Sequence, residues 1–268
     1  MALTLSIIIP TWNTAQVTLK CIKTIQQYLK DISYEIIIID NGSTDNTIET
    51  LSSAKVKLIK NDQNLGFAKA NNQAAKIAQG EYFFFLNSDM ELVDSSLSNM
   101  VEFIKQNKNI GAVGPQFLNP DLTSQASVFP PQTAYNAFKE FWLNKKNAYS
   151  KYLPPLDQPT LVSYISGGAF LISKKLFNLI GGWDEKYFFY FEDMELCRQV
   201  RKNNFSIYYF PKCRVVHYHG LSGKSLADPN NQWRRLIPSS IKFHGFIKHY
   251  FINLIIWSGQ KWQKLYQR

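Results

Sequence analysis

Tyr82-Phe83-Phe84-Phe85-Leu86 is an unbroken apolar run that stops at Asn87-Ser88-Asp89. A run of that length without polar alternation reads as a strand covered on both faces, the condition of parallel sheets walled by helices. Such strands present polar residues to a crevice at their carboxyl ends. Asp89 therefore stands as a candidate site carboxylate. A turn aspartate behind a core strand is the plainer alternative.

The segments before it keep the same rhythm. Leu5–Ile9 reads as a first strand closed by Pro10-Thr11-Trp12-Asn13, and Glu35–Ile39 as a second, ending at Asp40. A third is expected over Val56–Ile59. Between them lie a helical pattern with Val17, Cys21, Ile25 and Tyr28 on one face, a short helix to about Ala54 capped by Ser43 or Thr44, and a helix from Gly66 to about Ala78. This β-α order predicts an α/β fold with a mostly parallel, doubly wound sheet and helices on both faces. A helix over about 95–106 and a short strand at Gly111–Val113 follow. Seven of the eleven prolines then fall between Pro115 and Pro159, which reads as loop-rich connection with one helix near 135–143. Regular structure resumes over Leu161–Ile172, with a helix at Lys174–Leu179 and a strand around Arg214–Val216. The organisation expected is a catalytic unit over 1–224, with halves 1–114 and 115–224, and a basic, aromatic helical extension over 225–268. No G-x-G-x-x-G follows the first strand, so a dinucleotide site is not supported.

Charge separates the extension from the rest. From Arg201 to Arg268 there are twelve Lys and Arg against one acid, Asp228, so the whole net charge of +10 resides there. Such a tail suits anionic membrane, phosphate-bearing ligands or nucleic acid, but no nucleic-acid motif accompanies it. Three scattered cysteines (Cys21, Cys197, Cys213) suit a reducing compartment and form neither a disulfide framework nor a zinc site. The N-terminal apolar run lacks a basic leader and meets Pro10 early. It is expected to be a strand, not a signal peptide.

Four groups could carry chemistry. Asp40 and Asp89, at the carboxyl ends of buried strands, are expected to lie close together. Asn71 is the polar residue on the inner face of the helix opened by Asn64-Leu65-Gly66-Phe67, whose free N–H groups could meet a phosphate. In Glu192-Asp193-Met194-Glu195, helical spacing turns Asp193 inward with Leu196, Cys197 and Val200, and turns Glu192 and Glu195 to solvent. An inward carboxylate beside an aromatic loop (Trp183, Tyr187–Phe191) is a candidate general base; a helix-capping carboxylate is the alternative. His217 and His219 share a strand face and could ligate a metal, or simply line a polar edge. Ser222 and Lys224 sit in a loop suited to phosphate contact.

With these residues together, the chain resembles the family-2 glycosyltransferases, more closely their rhamnosyltransferase-like members. The resemblance rests on Ser6–Asn13, Asp40-Asn41-Gly42-Ser43-Thr44-Asp45, Asn64-Leu65-Gly66-Phe67, Asn87-Ser88-Asp89, Gly181-Gly182-Trp183-Asp184-Glu185 and Glu192-Asp193, in that order. It implies a GT-A fold and an inverting transfer of one sugar from a nucleotide-diphosphate donor, with UDP or dTDP ahead of GDP. By the same resemblance Asp40 would hold the base of the nucleotide. Asp89 and His217, with His219 as alternate, would hold Mn²⁺ or Mg²⁺, and Asp193 would be the catalytic base. Pro10, Thr11, Asn13, Asn64, Gly66, Asn71, Asn87, Ser88, Gly168, Ser222 and Lys224 would line the donor site. Asn87 stands where relatives carry an aspartate, which removes one charge from the metal environment. Glu195 stands where an aspartate is common. The acceptor would be a saccharide or lipid-linked, as in surface-polysaccharide synthesis.

The tail from Ser240 on places Phe243, Phe246, Ile247, Tyr250, Leu254 and Trp257 on one broad helical face among lysines. Its apolar run is short of the ~20 residues a span needs. An interfacial helix on the inner face of a membrane and a helix packed on the catalytic unit are both compatible with it. The location expected is the cytoplasm. Two other classes predict different chemistry: a nucleotide-sugar binder without turnover, and a two-carboxylate glycoside hydrolase that needs no nucleotide donor.

Overall fold

A computed structural model describes residues 3–218 and 233–266. In chain order the strands and helices are β1 (Leu5–Thr11), α1 (Ala15–Tyr28), β2 (Tyr34–Asp40), α2 (Thr47–Ser52), β3 (Lys57–Lys60), α3 (Phe67–Ile77), β4 (Tyr82–Leu86), β5 (Met90–Leu92) and α4 (Leu97–Gln106). Then come β6 (Ile110–Leu118), β7 (Ser124–Gln125), β8 (Val128–Phe129), α5 (Ala134–Phe141), β9 (Thr160–Leu161), β10 (Tyr164–Ile165), β11 (Ala169–Ser173), α6 (Lys174–Leu179), α7 (Glu192–Lys202) and β12 (Ser206–His217). Two helices follow, α8 (Trp233–His244) and α9 (Phe246–Tyr266).

One sheet runs in the order β3-β2-β1-β4-β11-β6-β12-β5. Its first four strands are parallel, with Leu5 opposite both Tyr34 and Tyr82. β11 then enters antiparallel between β4 and β6, and β12 runs parallel to β6. The sheet is therefore mixed, with four parallel strands at one end and a further parallel pair, β6 and β12, toward the other. Residues 114 and 115 both lie inside β6, so the two halves of the catalytic unit share one sheet.

The apolar run is covered on both sides. Phe83 and Phe85 face the cluster containing Ile8, Phe170, Trp183 and the inner side of α3 and α7. Phe84 and Leu86 face the cluster containing Ile7, Ile9, Cys21 and Met100. Each of these aromatic side chains contributes roughly 1.5–3 kcal/mol through burial alone.

Several boundaries differ from the sequence reading. β6 and β12 are far longer than the short strands expected, because Pro115 and Pro211 do not end them. Their ladder shifts register between Phe210 and Arg214, and an irregular stretch tolerates a residue without an N–H. The buried side of α1 is Ala15, Thr18, Cys21, Ile22 and Ile25, with Val17 at its margin. α2 begins at Thr47, not beside Ser43 or Thr44, because the Asp45 carboxylate accepts from the Thr47 N–H at 3.0 Å and starts the helix there. The tail is two helices rather than one face: Gly245, at φ +83°, breaks it, and Phe243 is buried in α8.

Candidate active site

The carboxyl ends of β1, β2 and β4 meet the start of α3 in a narrow cleft lined by Pro10, Thr11, Trp12, Asn41, Asn64, Gly66, Asn87 and Ser88 and closed by Phe188 and Phe189. Its volume is about 80 Å³, well below the several hundred Å³ of a typical small-molecule site. Phe67, Asn87 and Phe189 also line a second cavity of about 490 Å³ that contains Asp193, Gly167, Gly168 and Lys151. Phe67, Asn87 and Phe189 are thus common to the walls of both spaces.

Hydrogen bonds fix the cleft. Thr11, Thr14 and Thr18 form a buried hydroxyl cluster, and Thr14 reaches Ser88 at 3.3 Å, which ties β1 to the turn after β4. The Asn87 N–H donates to Gly168 O at 2.8 Å, linking that turn to β11. Asn41 was not singled out in the sequence, yet it organises one wall. Its Nδ2 donates to Asn64 Oδ1, and its Oδ1 accepts from Asn61 Nδ2 and the Leu65 N–H. Two asparagines twenty-odd residues apart give no periodic signal, so only the fold reveals the pairing. Gly66 sits at φ +86°, and a Cβ there would stand 2.8 Å from Phe188 O. The loop bearing Phe188 thus packs directly on the start of α3.

Not every candidate reaches the open space. Asp40 is fully buried; its Oδ2 accepts from the Ser43 N–H, and its Oδ1 has no hydrogen-bond partner among the described residues. Asp40 ends β2 and Asp89 follows the turn after β4, and β1 lies between those two strands. Asn13 turns away from the cleft and accepts from the Thr44 N–H at 2.8 Å, shaping the turn after β2. Asn71 is buried in α3 and donates to Phe67 O, and it lines neither space. Just before and at the start of α3, the N–H groups of Leu65, Gly66 and Phe67 donate to Asn41, Asn64 and Phe188. His219, Ser222 and Lys224 lie outside the described residues.

Asp89 and His217 do come together. Asp89 is 1% exposed, and its Oδ1 is 3.8 Å from His217 Nε2. His217 Nδ1 lies 2.7 Å from Gln125 Oε1. An amide oxygen can only accept, so Nδ1 carries a proton, and in the neutral ring Nε2 then presents its lone pair on the Asp89 side. Two donors that each sit ~2.1 Å from a divalent cation can be as far as ~4 Å apart, so this pair fits one ion. No group of three or more His, Cys, Asp or Glu able to hold a metal occurs among the described residues. An ion here would take its remaining ligands from substrate and water. Gln125 is a residue that sequence reasoning missed; it belongs to a two-residue strand too short to carry a pattern.

The base candidate stands at the other end. Asp193, in the first turn of α7, accepts from the Gly167 N–H at 3.0 Å through Oδ2 and from the Met194 N–H at 2.8 Å through Oδ1. Burial pushes its pKa up, while those N–H groups and the Lys151 ammonium oppose the rise. The backbone enters α7 through Tyr190 and Phe191, both with positive φ, +71° and +66°. Non-glycine residues held there cost about 1–3 kcal/mol each, a kind of strain that gathers at functional sites. The Trp183 turn is clamped by Asn72, whose Oδ1 accepts from the Trp183 N–H and whose Nδ2 donates to Trp183 O. Trp183 then packs edge-on against Phe67 and Phe85 beneath the cavity floor.

The outward placement of Glu192 and Glu195 is corrected by the tail. They are 7% and 6% exposed. Glu195 pairs with Arg198, whose guanidinium donates to Phe243 O and lies over the Phe243 ring, so α8 covers what helical spacing assigns to solvent. Glu192 sits beside Asp193, and burial, with help from that charge, pushes its pKa up to about 8. At pH 4 Glu192 is protonated whether folded or unfolded. Between about 4.5 and 8 the folded chain keeps a proton that the unfolded chain has released, so stability falls as pH rises. Glu192→Gln is therefore expected to stabilise by on the order of 3 kcal/mol at pH 8 and to be neutral at pH 4. Melting temperatures at the two pH values check this; equal shifts at both would refute the buried, protonated acid.

The family model described as glycosyl transferase family 2 matches residues 6–181. An N-acetylglucosaminyl-diphospho-decaprenol L-rhamnosyltransferase of Mycobacterium tuberculosis is 26% identical over 208 residues, 68% of this chain and 66% of that protein. The Escherichia coli enzyme WfaP, a UDP-Glc:alpha-D-GlcNAc-diphosphoundecaprenol beta-1,3-glucosyltransferase, is 33% identical over 142 residues, 51% of this chain and 55% of its own. The chain thus spans somewhat less than two thirds of these relatives. Among solved structures, GalNAc-T7 with UDP, GalNAc and Mn²⁺ superposes with a TM-score of 0.64 at 17% identity, covering 81% of this chain and 44% of that one. The mannosyltransferase PcManGT from Pyrobaculum calidifontis, with GDP-Man and Mn²⁺, gives 0.59 at 17%, covering 95% and 65%.

Proposed function

The chain belongs to glycosyltransferase family 2, with the GT-A fold, and from that premise we propose that it moves a single sugar from a nucleotide-diphosphate donor to a saccharide or lipid-linked acceptor, with inversion. The observation that carries the proposal is the placement of Asp193. It stands in a cavity that shares Phe67, Asn87 and Phe189 with the cleft at the strand ends, and the Gly167 N–H holds it there.

The donor lies across both spaces, its nucleotide in the cleft near Asn41 and Asn64 and its sugar toward Gly168 and Asp193. The acceptor hydroxyl enters from the cavity side. Asp193 takes its proton as the oxygen attacks the anomeric carbon, and the nucleoside diphosphate leaves from the opposite face. Asp89 and His217 would hold Mn²⁺ or Mg²⁺, and such a cation, when bound, neutralises the diphosphate. Gln125 fixes the His217 ring in the ligating tautomer. Asp40, buried with one oxygen unmatched, backs the cleft where the base of the nucleotide would sit. UDP or dTDP stands ahead of GDP, as in the sequence reading. The relatives named above act on lipid diphosphates, which supports a lipid-linked acceptor and surface-polysaccharide synthesis. The free, buried thiols of Cys21, Cys197 and Cys213 suit the reducing cytoplasm.

The test is a melting screen of UDP-, dTDP- and GDP-sugars with Mn²⁺. One donor at about a hundred times its Kd is expected to raise Tm by on the order of 5 °C, and that donor should then release nucleoside diphosphate only when an acceptor is present. Sugar release from a glycan without any nucleotide donor would point to a hydrolase instead.

A further inference from the structure

Helix α9 has two unlike faces. Its inner face, with His249, Ile252 and Gly259, is buried. That face meets α5 so closely that a Cβ on Gly259 would stand 2.6 Å from Phe141 O. Trp142 Nε1 donates to Ile255 O at 3.2 Å, and Gln263 donates to Phe141 O at 2.9 Å. Asn253 and Ile256 turn with His249 into the cavity that holds Asp193. The outer face is apolar and open: Phe246 is 65% exposed, Ile247 82%, Leu254 57% and Trp257 59%. Phe246, Ile247, Leu254 and Trp257 share one face over the first turns of the helix, and Lys261 and Lys264 continue that face at its C-terminal end. A monomeric protein rarely leaves so long a contiguous apolar stripe uncovered without a use for it.

The charges around the stripe say what covers it. Residues 229–268 contain seven Lys and Arg and no Asp or Glu. Lys248, Lys261 and Lys264 are exposed along α9 itself. A second copy of the chain would bring an identical cationic rim against the first and be repelled. An anionic lipid surface meets both demands, accepting the apolar stripe among acyl chains and the lysines among head groups. The helix is 21 residues long, and no helix among the described residues is long and apolar enough to cross a membrane. We infer that α9 lies flat in the surface of an anionic membrane, with Phe246, Ile247, Leu254 and Trp257 inserted and Lys248, Lys261 and Lys264 at the head groups. Because the inner face of the same helix walls the cavity of Asp193, this docking brings a lipid-linked acceptor to the site. That consequence rests on the transferase reading, whereas the binding itself does not.

Co-sedimentation of the full chain with vesicles tests it without donor or acceptor. Vesicles of phosphatidylcholine with about 30% phosphatidylglycerol should bind at least roughly tenfold more protein than phosphatidylcholine alone, and salt should weaken the binding. Ile247→Glu with Leu254→Glu should abolish binding while leaving Tm unchanged, since both side chains are exposed. Lys248→Gln, Lys261→Gln and Lys264→Gln together should cost on the order of a hundredfold in affinity for the anionic vesicles. Wild-type protein that stays in the supernatant with both vesicle types would overturn the inference. So would a glutamate double variant that still sediments, or a solution dimer that the same variant dissolves. Loss of vesicle binding with transfer to a soluble acceptor intact separates this surface from the catalytic reading.

Discussion

Asp193→Asn is expected to lower kcat on the order of 10³-fold while leaving the donor dissociation constant within about twofold. The substitution keeps the shape and the acceptor oxygen, so the hydrogen bond from the Gly167 N–H, 3.0 Å in the wild type, can persist. What it removes is the lone pair that takes the acceptor proton. The pH dependence gives a second reading of the same residue. Burial raises Asp193 above the 3.8 of an ordinary aspartate, and the base works only when ionised. Wild-type turnover should therefore fall as pH drops through a value above the ordinary carboxylate range, and the limb should vanish in the variant. Glu192 beside it gives up its proton only near pH 8, so below that Glu192→Gln replaces one neutral side chain by another and should leave the limb in place. Turnover of Asp193→Asn equal to wild type, with the limb unchanged, would remove Asp193 from the mechanism.

Asp89→Ala attacks the opposite end of the site. A cation that neutralises a departing diphosphate is worth several kcal/mol of transition-state stabilisation, so a loss of roughly 10²–10³-fold in kcat/KM is expected, with no further response to Mn²⁺. Gln125→Leu is the graded partner. It leaves Asp89 and His217 in place but frees the His217 ring, whose Nδ1 now sits 2.7 Å from Gln125 Oε1. Losses of 10–100-fold in metal affinity are typical when such an orienting contact is removed. Titration of Mn²⁺ in the presence of UDP should show that loss by calorimetry, independently of turnover. If Asp89→Ala still bound Mn²⁺ and nucleotide as tightly as wild type, the pairing with His217 would be structural only.

Much of the framework was legible because burial writes itself into sequence. An apolar run such as Phe83–Leu86 can be satisfied only by cover on both faces, and the alternation of strands with 3.6-periodic helices leaves few topologies. Asp89 and Asp193 stand out in the sequence for a related reason, a charge at the end of a buried element, although the same sign points to Asp40, which is buried away from the open space. The Pro-rich stretch from Pro115 to Pro159 was not, since β7 and β8 are two residues each and take their shape from neighbours distant in sequence.

Order along the chain therefore determined the parallel core, the helix of Asp193 and the identity of the candidate acid groups. Tertiary structure alone decided how they are used. β1 separates Asp40 from Asp89, because adjacency in a sheet follows strand order rather than chain order. Glu192 and Glu195 are buried, with α8 laid over the Glu195–Arg198 pair, because helical periodicity tells which residues share a face and not what a later helix lays over it. Gln125 meets His217 across 92 residues, and α9 turns one face to the cavity and leaves the other open. Contacts of that span carry no periodic signature, so they exist only once the chain has folded.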